Sequence, residues 1–323
     1  MKTLYLLEPY LNKNNHQFFF QWFAQGCSNL KISRQKGLFI PWKIRLLFAR
    51  LGISFNIPFL TLKNEALIVL GAGYIDSFAW PFAYNREIIP VLWDTWPKYW
   101  PRLLASLKRH HVKYAFFTQS QVAEMVEREI PGIKCFHLLE GIDVTGYKKG
   151  EKLEDRAIDL LELGRVHTQF HTLINREEIP SLNLHLFRPP EKGLLFPDFE
   201  SLTQGLSEAK VSVCFPRCDT HPQHAGNIET MTQRYWECML SRTLILGRAP
   251  KELVDFAGYN PVIDVDWSNL PAQIEYILCN IKEFQSLVDR NYRLALSHAS
   301  WDNRVRTMLA LLHEKGYVLK NMI

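Results

Sequence analysis

Short runs of β-prone apolar residues alternate along the chain with longer stretches of helical periodicity. Residues 3–7, 66–70, 88–93, 114–118 and 134–139 read as strands, and helices are expected near 97–110 and 119–130. Near-continuous apolar strands separated by helices make the pattern of a parallel sheet covered on both faces. The polar, glycine-punctuated stretch 140–152 predicts a linker. Strand-like runs restart at 157–163, 182–187, 210–215, 243–246 and 261–265, which places two α/β domains in series, over residues 1–150 and 151–300. From 271 to 316 the pattern is nearly all helical. Near its end Ser300 precedes an apolar stripe of Trp301, Val305, Met308, Leu309 and Leu312, so a capped closing helix is expected within 301–323.

Composition supports two folded cores, because 323 residues with 47% apolar content suffice for both. No apolar run approaches the about 18 residues of a membrane-spanning helix, and Glu8 interrupts the opening segment too early for a signal peptide. A soluble, cytoplasmic protein is expected. Six scattered cysteines without C-x-x-C spacing read as reduced. Cys218, His221 and His224 are near one another but lack a fourth ligand at recognisable spacing, so no metal site is expected.

The net charge of +5 conceals an asymmetry: residues 1–150 carry 19 Lys and Arg against 10 Asp and Glu, and the remainder 19 against 23. Part of the excess, Lys31, Arg34, Lys36, Lys43, Arg45 and Arg50, is interleaved with apolar side chains. Such a stretch fits an anionic membrane surface, an acidic acceptor, or an amphipathic helix with a solvated basic face. Nucleic acid is not expected as a partner, since no recognisable binding motif accompanies a pI of 8.8.

Among candidate chemical groups, Glu229 and Glu237 stand out at the entry from a loop into a helix-forming run, 230–241, that leads to the strand at 243–246. If the whole interval were helical, the carboxylates would lie about 12 Å apart along the axis and about 80° apart around it. One could then reach a sugar ring and the other a ribose, because carboxylate oxygens accept strong hydrogen bonds from hydroxyls. The free N–H groups of a helix start attract anions. The spacing also fits two solvated surface glutamates. Gly71-Ala-Gly73 is a lone G-x-G, as consistent with a tight turn as with a phosphate loop.

Several segments resemble, in order and at domain-scale separations, the retaining family-four branch of the GT-B glycosyltransferases. Ile158-Asp-Leu-Leu-Glu-Leu-Gly-Arg165 resembles the strand and Gly-Arg turn that open the donor domain. Glu229 to Gly247 resembles the E-x7-E segment, and His298-Ala-Ser-Trp-Asp-Asn-Arg304 the closing-helix signature. Leu138-Leu-Glu-Gly-Ile-Asp143 resembles the turn ending the first domain. More narrowly, Gln233-Arg-Tyr-Trp-Glu237 resembles the R-x-F-E segment of the spore-maturation-protein-like branch. The likeness covers roughly residues 134–310, and the first 60 residues resemble nothing assignable.

The resemblance implies two Rossmann-like α/β domains facing a cleft, an acceptor domain followed by a donor domain, with the last helix returning to the first. It implies a nucleotide-sugar donor as substrate, no cofactor, and a glycan or lipid-linked acceptor in surface polysaccharide synthesis. Glu229 would hold donor-sugar hydroxyls, Glu237 the ribose, and Arg165 the diphosphate. Arg234 would assist, or pair with Glu237 across the helix. The implied donor pocket takes in His221, Gly226, Asn227, Thr232 and Tyr235 as well. Two departures stand out: no Lys follows the Gly-Arg turn, which makes Arg217 the candidate replacement, and Thr230-Met-Thr232 stands where the family has Gly-Phe-Gly.

On the acceptor side, Asp94 directly follows the strand at 88–93 and is the first choice of carboxylate, with Asp76 second. In an inverting enzyme Asp94 would be the base; in a retaining one it would position the acceptor. Trp93, Trp96, Tyr99 and Trp100 either stack on sugar rings or form a domain-edge core. The alternatives to transfer are a catalytically inactive GT-B glycan-binding or scaffold protein, and a GT-B sugar-nucleotide epimerase or phosphorylase.

Overall fold

The computed structural model describes residues 2–8, 17–36, 41–51, 64–75 and 86–317. Asp76 lies outside them, as do Leu38, Phe39 and Ile40 of the basic stretch. Contact within the chain separates two compact units, Met1–Gly141 with Trp301–Ile323, and Ile142–Ser300.

Val, Ile, Leu and aromatic residues fill Glu65–Ala72 (β3) and Glu87–Trp93 (β4), and nearly all of them are buried. Strands covered on both faces belong at a sheet centre, and these two pair there in parallel over seven residues, from Ala66 opposite Glu87 to Ala72 opposite Trp93. With Thr3–Glu8 (β1), Ser33–Lys36 (β2), Tyr114–Phe117 (β5) and Lys134–His137 (β6) they form a parallel sheet of order β2-β1-β3-β4-β5-β6. The basic stretch around residues 31–50 is not one helix. It contains the edge strand β2 and a separate helix, Trp42–Leu51. Ser33-Arg-Gln-Lys36 carries no apolar signal because backbone pairing with Tyr5–Glu8, not side-chain burial, holds it in place.

The closing helix, Trp301–Glu314, buries the stripe read from sequence: Trp301, Val305, Met308, Leu309 and Leu312 join the core of the first unit. Trp301 meets Phe23 edge-to-face at 5.4 Å, and Asn29 donates from Nδ2 to both carboxylate oxygens of Asp302. Fully burying one such apolar side chain contributes about 1.5–3 kcal/mol.

The second unit holds Ile158–Glu162 (β7), His185–Leu186 (β8), Ala209–Cys214 (β9), Leu244–Gly247 (β10) and Ile263–Asp264 (β11), all parallel, in the order β11-β10-β9-β7-β8. Two expected strands shrink to two residues each. For β8 the cause is visible: buried Asp159 accepts from the backbone N–H groups of Asn183 and Leu184, at 2.8 and 2.9 Å, and thereby takes donors a longer strand would use. The expected linker at 140–152 is packed instead. Gly150 N–H donates to Ser241 O, and Tyr147 O–H donates to Glu237 at 3.2 Å. Its glycines mark turns rather than looseness. The fold is α/β with two parallel-sheet regions. No helix among the described residues is long and apolar enough to cross a membrane.

Candidate functional site

In an open α/β sheet the loops leaving two adjacent strands diverge where the strand order reverses, and ligands bind in the crevice beyond the carboxyl ends of those strands. In the second unit this point lies between β7 and β9, with β8 on one side and β10 on the other. The loop after β7 carries Gly164, at φ +86°, and exposed Arg165. The loop after β9 enters a short helical turn, Arg217–Thr220, then His221 and a second turn, Pro222–Ala225. Gly226 closes that turn at φ 56°, ψ −132°, a conformation that only glycine adopts without strain. Asn227 beside it is exposed.

Arg165, Arg217, His221 and His224 converge. Burial lowers the pKa of His221, and the charges of Arg165, Arg217 and His224 lower it further. The imidazole therefore stays neutral beside two guanidinium groups as long as no anion offsets their charge, and its ring nitrogens suit hydrogen bonding to an anion's oxygens.

Thr232 stands directly before the helix Gln233–Leu240 in extended backbone. The four residues from Glu229 to Thr232 are not helical, so the axial separation of the two glutamates does not follow helix geometry. In this stretch the N–H of Met231 donates to buried Glu252. Glu237 is 8% exposed, with one oxygen 2.6 Å from the Arg234 guanidinium and the other accepting from Tyr147. Arg234 thus pairs with Glu237 across one helical turn, and its guanidinium also lies beside Gly164, within 3.9 Å of where a β-carbon would stand. Burial, the largest single influence, opposes the charge on Arg234, but Glu237 together with smaller contributions from Cys238, Cys214 and Tyr147 outweighs it and raises its pKa. Burial, then the Glu237 carboxylate, holds the Tyr147 phenol protonated. Tyr235 is fully buried and donates to Arg248 O at 2.6 Å, so it braces the loop after β10 from the core.

Glu229 has partners at both oxygens. One accepts from the Arg248 guanidinium, and the other from the N–H of Lys251 at 2.9 Å, the first residue of the helix Lys251–Ala257. Arg248 also donates to Asp219 twice, at 2.6 and 2.7 Å. The hydrogen bonds to Asp219, against the cost of burial and with help from Glu229, raise its pKa still further. Sequence reasoning missed Arg248, Asp219 and Tyr147. Only the position of Arg248, directly after a strand ending in glycine, signalled it. Also missed is a cluster at the end of β7, where His171 Nδ1 and His185 Nε2 lie 2.8 and 2.9 Å from the same oxygen of buried Glu162.

In the first unit Asp94 follows β4 at φ 51°, a left-handed conformation that costs a non-glycine residue about 1–3 kcal/mol. Its carboxylate accepts from Trp96 Nε1 at 3.1 Å. Trp93 and Trp96, at 7% and 4% exposed, are core residues, whereas Tyr99 and Trp100 are partly open.

No protein-family model and no curated sequence matches the chain. Solved structures do. Sucrose-phosphate synthase from Thermosynechococcus elongatus superposes with a TM-score of 0.61 at 14% identity, over 98% of this chain and 99% of that one. HepE from Anabaena, solved with UDP and glucose, gives 0.57 at 8% identity over 97% and 100%. AviGT4, a glycosyltransferase involved in avilamycin A biosynthesis, gives 0.51 at 11% over 97% of both chains. These similarities establish the fold: two α/β units of the GT-B type.

Proposed function

We propose that this protein is a glycosyltransferase that moves a hexosyl group from a nucleotide-diphosphate sugar to a glycan or lipid-linked acceptor. The observation that carries this reading is the convergence of Arg165, Arg217 and His221 at the switch point between β7 and β9, with the Arg234–Glu237 pair beside Gly164. Guanidinium groups can bind two diphosphate oxygens at once and stabilise the charge that develops on the leaving group. The UDP and glucose held by HepE fit the same ligand class.

Finer points belong to the same proposal. The E-x7-E pattern at Glu229 and Glu237 favours retention, with Asp94 positioning the acceptor hydroxyl and the arginines serving the diphosphate without a metal. The resemblance to the spore-maturation-protein-like branch favours surface polysaccharide synthesis in the cytoplasm. Attachment to an anionic membrane is favoured by the helix Trp42–Leu51, on which Ile44 and Leu47 are exposed between Lys43 and Arg50, with exposed Leu51 beyond them.

The test is calorimetry of the purified chain against UDP, GDP, ADP, CMP and their sugars, followed by donor hydrolysis and transfer assays. Tight binding of one nucleotide, weakened in Arg165→Ala, supports the donor pocket, and turnover separates transferase from silent binder. A folded protein that binds none of them at millimolar concentration sinks the proposal.

A further inference from the structure

Beyond the carboxyl ends of β9, β10 and β11 lies a cavity of about 470 Å³, within the range of small-molecule sites. Nothing in the proposed donor grip uses it. Three aromatic rings form its apolar wall. Phe215 directly follows β9, His167 caps the helix Thr168–Ile174, and Trp267 follows β11. His167 lies 4.2 Å from Phe215 and 4.9 Å from Trp267 between ring centroids, and Phe215 and Trp267 lie 5.8 Å apart at 25°, so the rings are close to parallel. Trp267 is 40% exposed, unusual for a side chain of that size among tightly packed neighbours.

The polar side of the cavity is built from Asp219, Arg248 and Asp264. Arg248 is fixed by its two bonds to Asp219 and by Glu229, so its guanidinium and the Asp219 carboxylate are held in place before any ligand arrives. Each carboxylate oxygen accepts more than one hydrogen bond, so these bonds leave Asp219 with capacity for a ligand hydroxyl. His167 accepts from Phe170 N–H through Nδ1, and burial keeps the ring neutral, which puts its proton on Nε2 as a donor.

A flat apolar wall facing a rim of carboxylates and one guanidinium suits a molecule with an apolar ring face and a hydroxyl edge. We propose that this cavity is a carbohydrate subsite: a neutral pyranose stacks its C–H face on Trp267 and Phe215 and hydrogen-bonds its hydroxyls to Asp219, Asp264 and Arg248. A nucleotide fits less well, because its phosphates would meet two carboxylates at the rim. Sugar binding here does not depend on the transferase reading, and only the source of the sugar does.

The experiment is saturation-transfer NMR and calorimetry with glucose, galactose, mannose, N-acetylglucosamine and their methyl glycosides, on the wild type, Trp267→Ala and Arg165→Ala. The expected result is binding of at least one of these sugars, with saturation strongest on one ring face. Affinity should fall about tenfold in Trp267→Ala and stay unchanged in Arg165→Ala. If a UDP-sugar displaces the bound sugar while UDP does not, the ring belongs to the donor; if neither displaces it, the site takes a unit of a glycan. No binding of any sugar, binding indifferent to Trp267→Ala, or loss of uridine binding rather than sugar binding in Trp267→Ala would each overturn the proposal. Circular dichroism of Trp267→Ala, a loop residue, checks that the variant is folded.

Discussion

The two sheets share one strand order and carry different chemistry beyond it. In each unit the first strand is flanked by its successor on one side and by the third strand on the other, β2-β1-β3 in the first and β8-β7-β9 in the second. Beyond the second sheet stand Arg165, Arg217 and Arg234; beyond β4 of the first stands Asp94, with Tyr99 and Trp100 nearby. Net charge runs the other way, since residues 1–150 carry 19 basic against 10 acidic residues and the remainder 19 against 23. Thus the acidic half presents cations where β7 and β9 diverge, with the Asp219 and Asp264 carboxylates farther along the same edge, and the basic half a carboxylate after β4. Summed charge reports on solubility and long-range attraction, while local chemistry is set strand end by strand end.

The largest break in this contrast is expected from Glu237→Ala. It strands Arg234, which is 23% exposed at the side chain, so the cost should be about 2–3 kcal/mol, below the about 3–5 of a fully buried pair. The melting temperature should fall by about 5–10 °C in differential scanning calorimetry, and Glu237→Gln, which keeps the hydrogen bond from Tyr147, should recover part of it. Next comes Arg165→Ala, expected to weaken nucleoside-diphosphate binding about 30- to 100-fold by loss of charge-assisted hydrogen bonds, with stability unchanged because the side chain is exposed. An equal loss in Asp94→Asn would erase the division of labour between the sheets.

For Asp94→Asn the expectation is unaltered nucleotide affinity with kcat reduced about tenfold, the scale of one charge-assisted hydrogen bond. The smallest effect concerns pH. His221 titrates below its ordinary value of 6.5 in the folded chain, so its contribution to stability is complete above that value and is lost as pH falls through it toward the lowered pKa. A bound diphosphate raises that pKa, so binding takes up a proton and UDP affinity should rise a few-fold between pH 7.5 and 6. His221→Asn should flatten the part of this slope that UDP's own titration does not supply. A steeper slope in the variant would count against His221 as an anion neighbour.

What could be read from sequence divides along physical lines. β3 and β4 are buried on both faces and write themselves as near-continuous apolar runs, β7 and β9 keep Asp159, Glu162, Lys210 and Ser212 among their apolar residues, and the closing helix wrote its stripe at helical spacing. β2 is held by backbone bonds alone and left no pattern. At the site, Arg165 and Arg234 are named through the resemblance of their segments, and Arg217 as the replacement for the Lys that is missing after the Gly-Arg turn. The embrace of Glu229 by Arg248, and of Glu237 by Tyr147, depends on loops meeting in space. The distance between the two glutamates was likewise out of reach, since the helix begins only at Gln233 and Glu229 lies in the loop before it.

The return of Trp301–Glu314 to the first unit sets an order of events in a growing chain. Residues 142–300 must be made before Trp301, Val305, Met308 and Leu312 can fill the first core. At about 5–20 residues per second that core stays open on the ribosome for about 10–30 s. The half that is translated second is then the half that matures first, and the exposed inner face of the earlier half is where a holdase would be expected to bind.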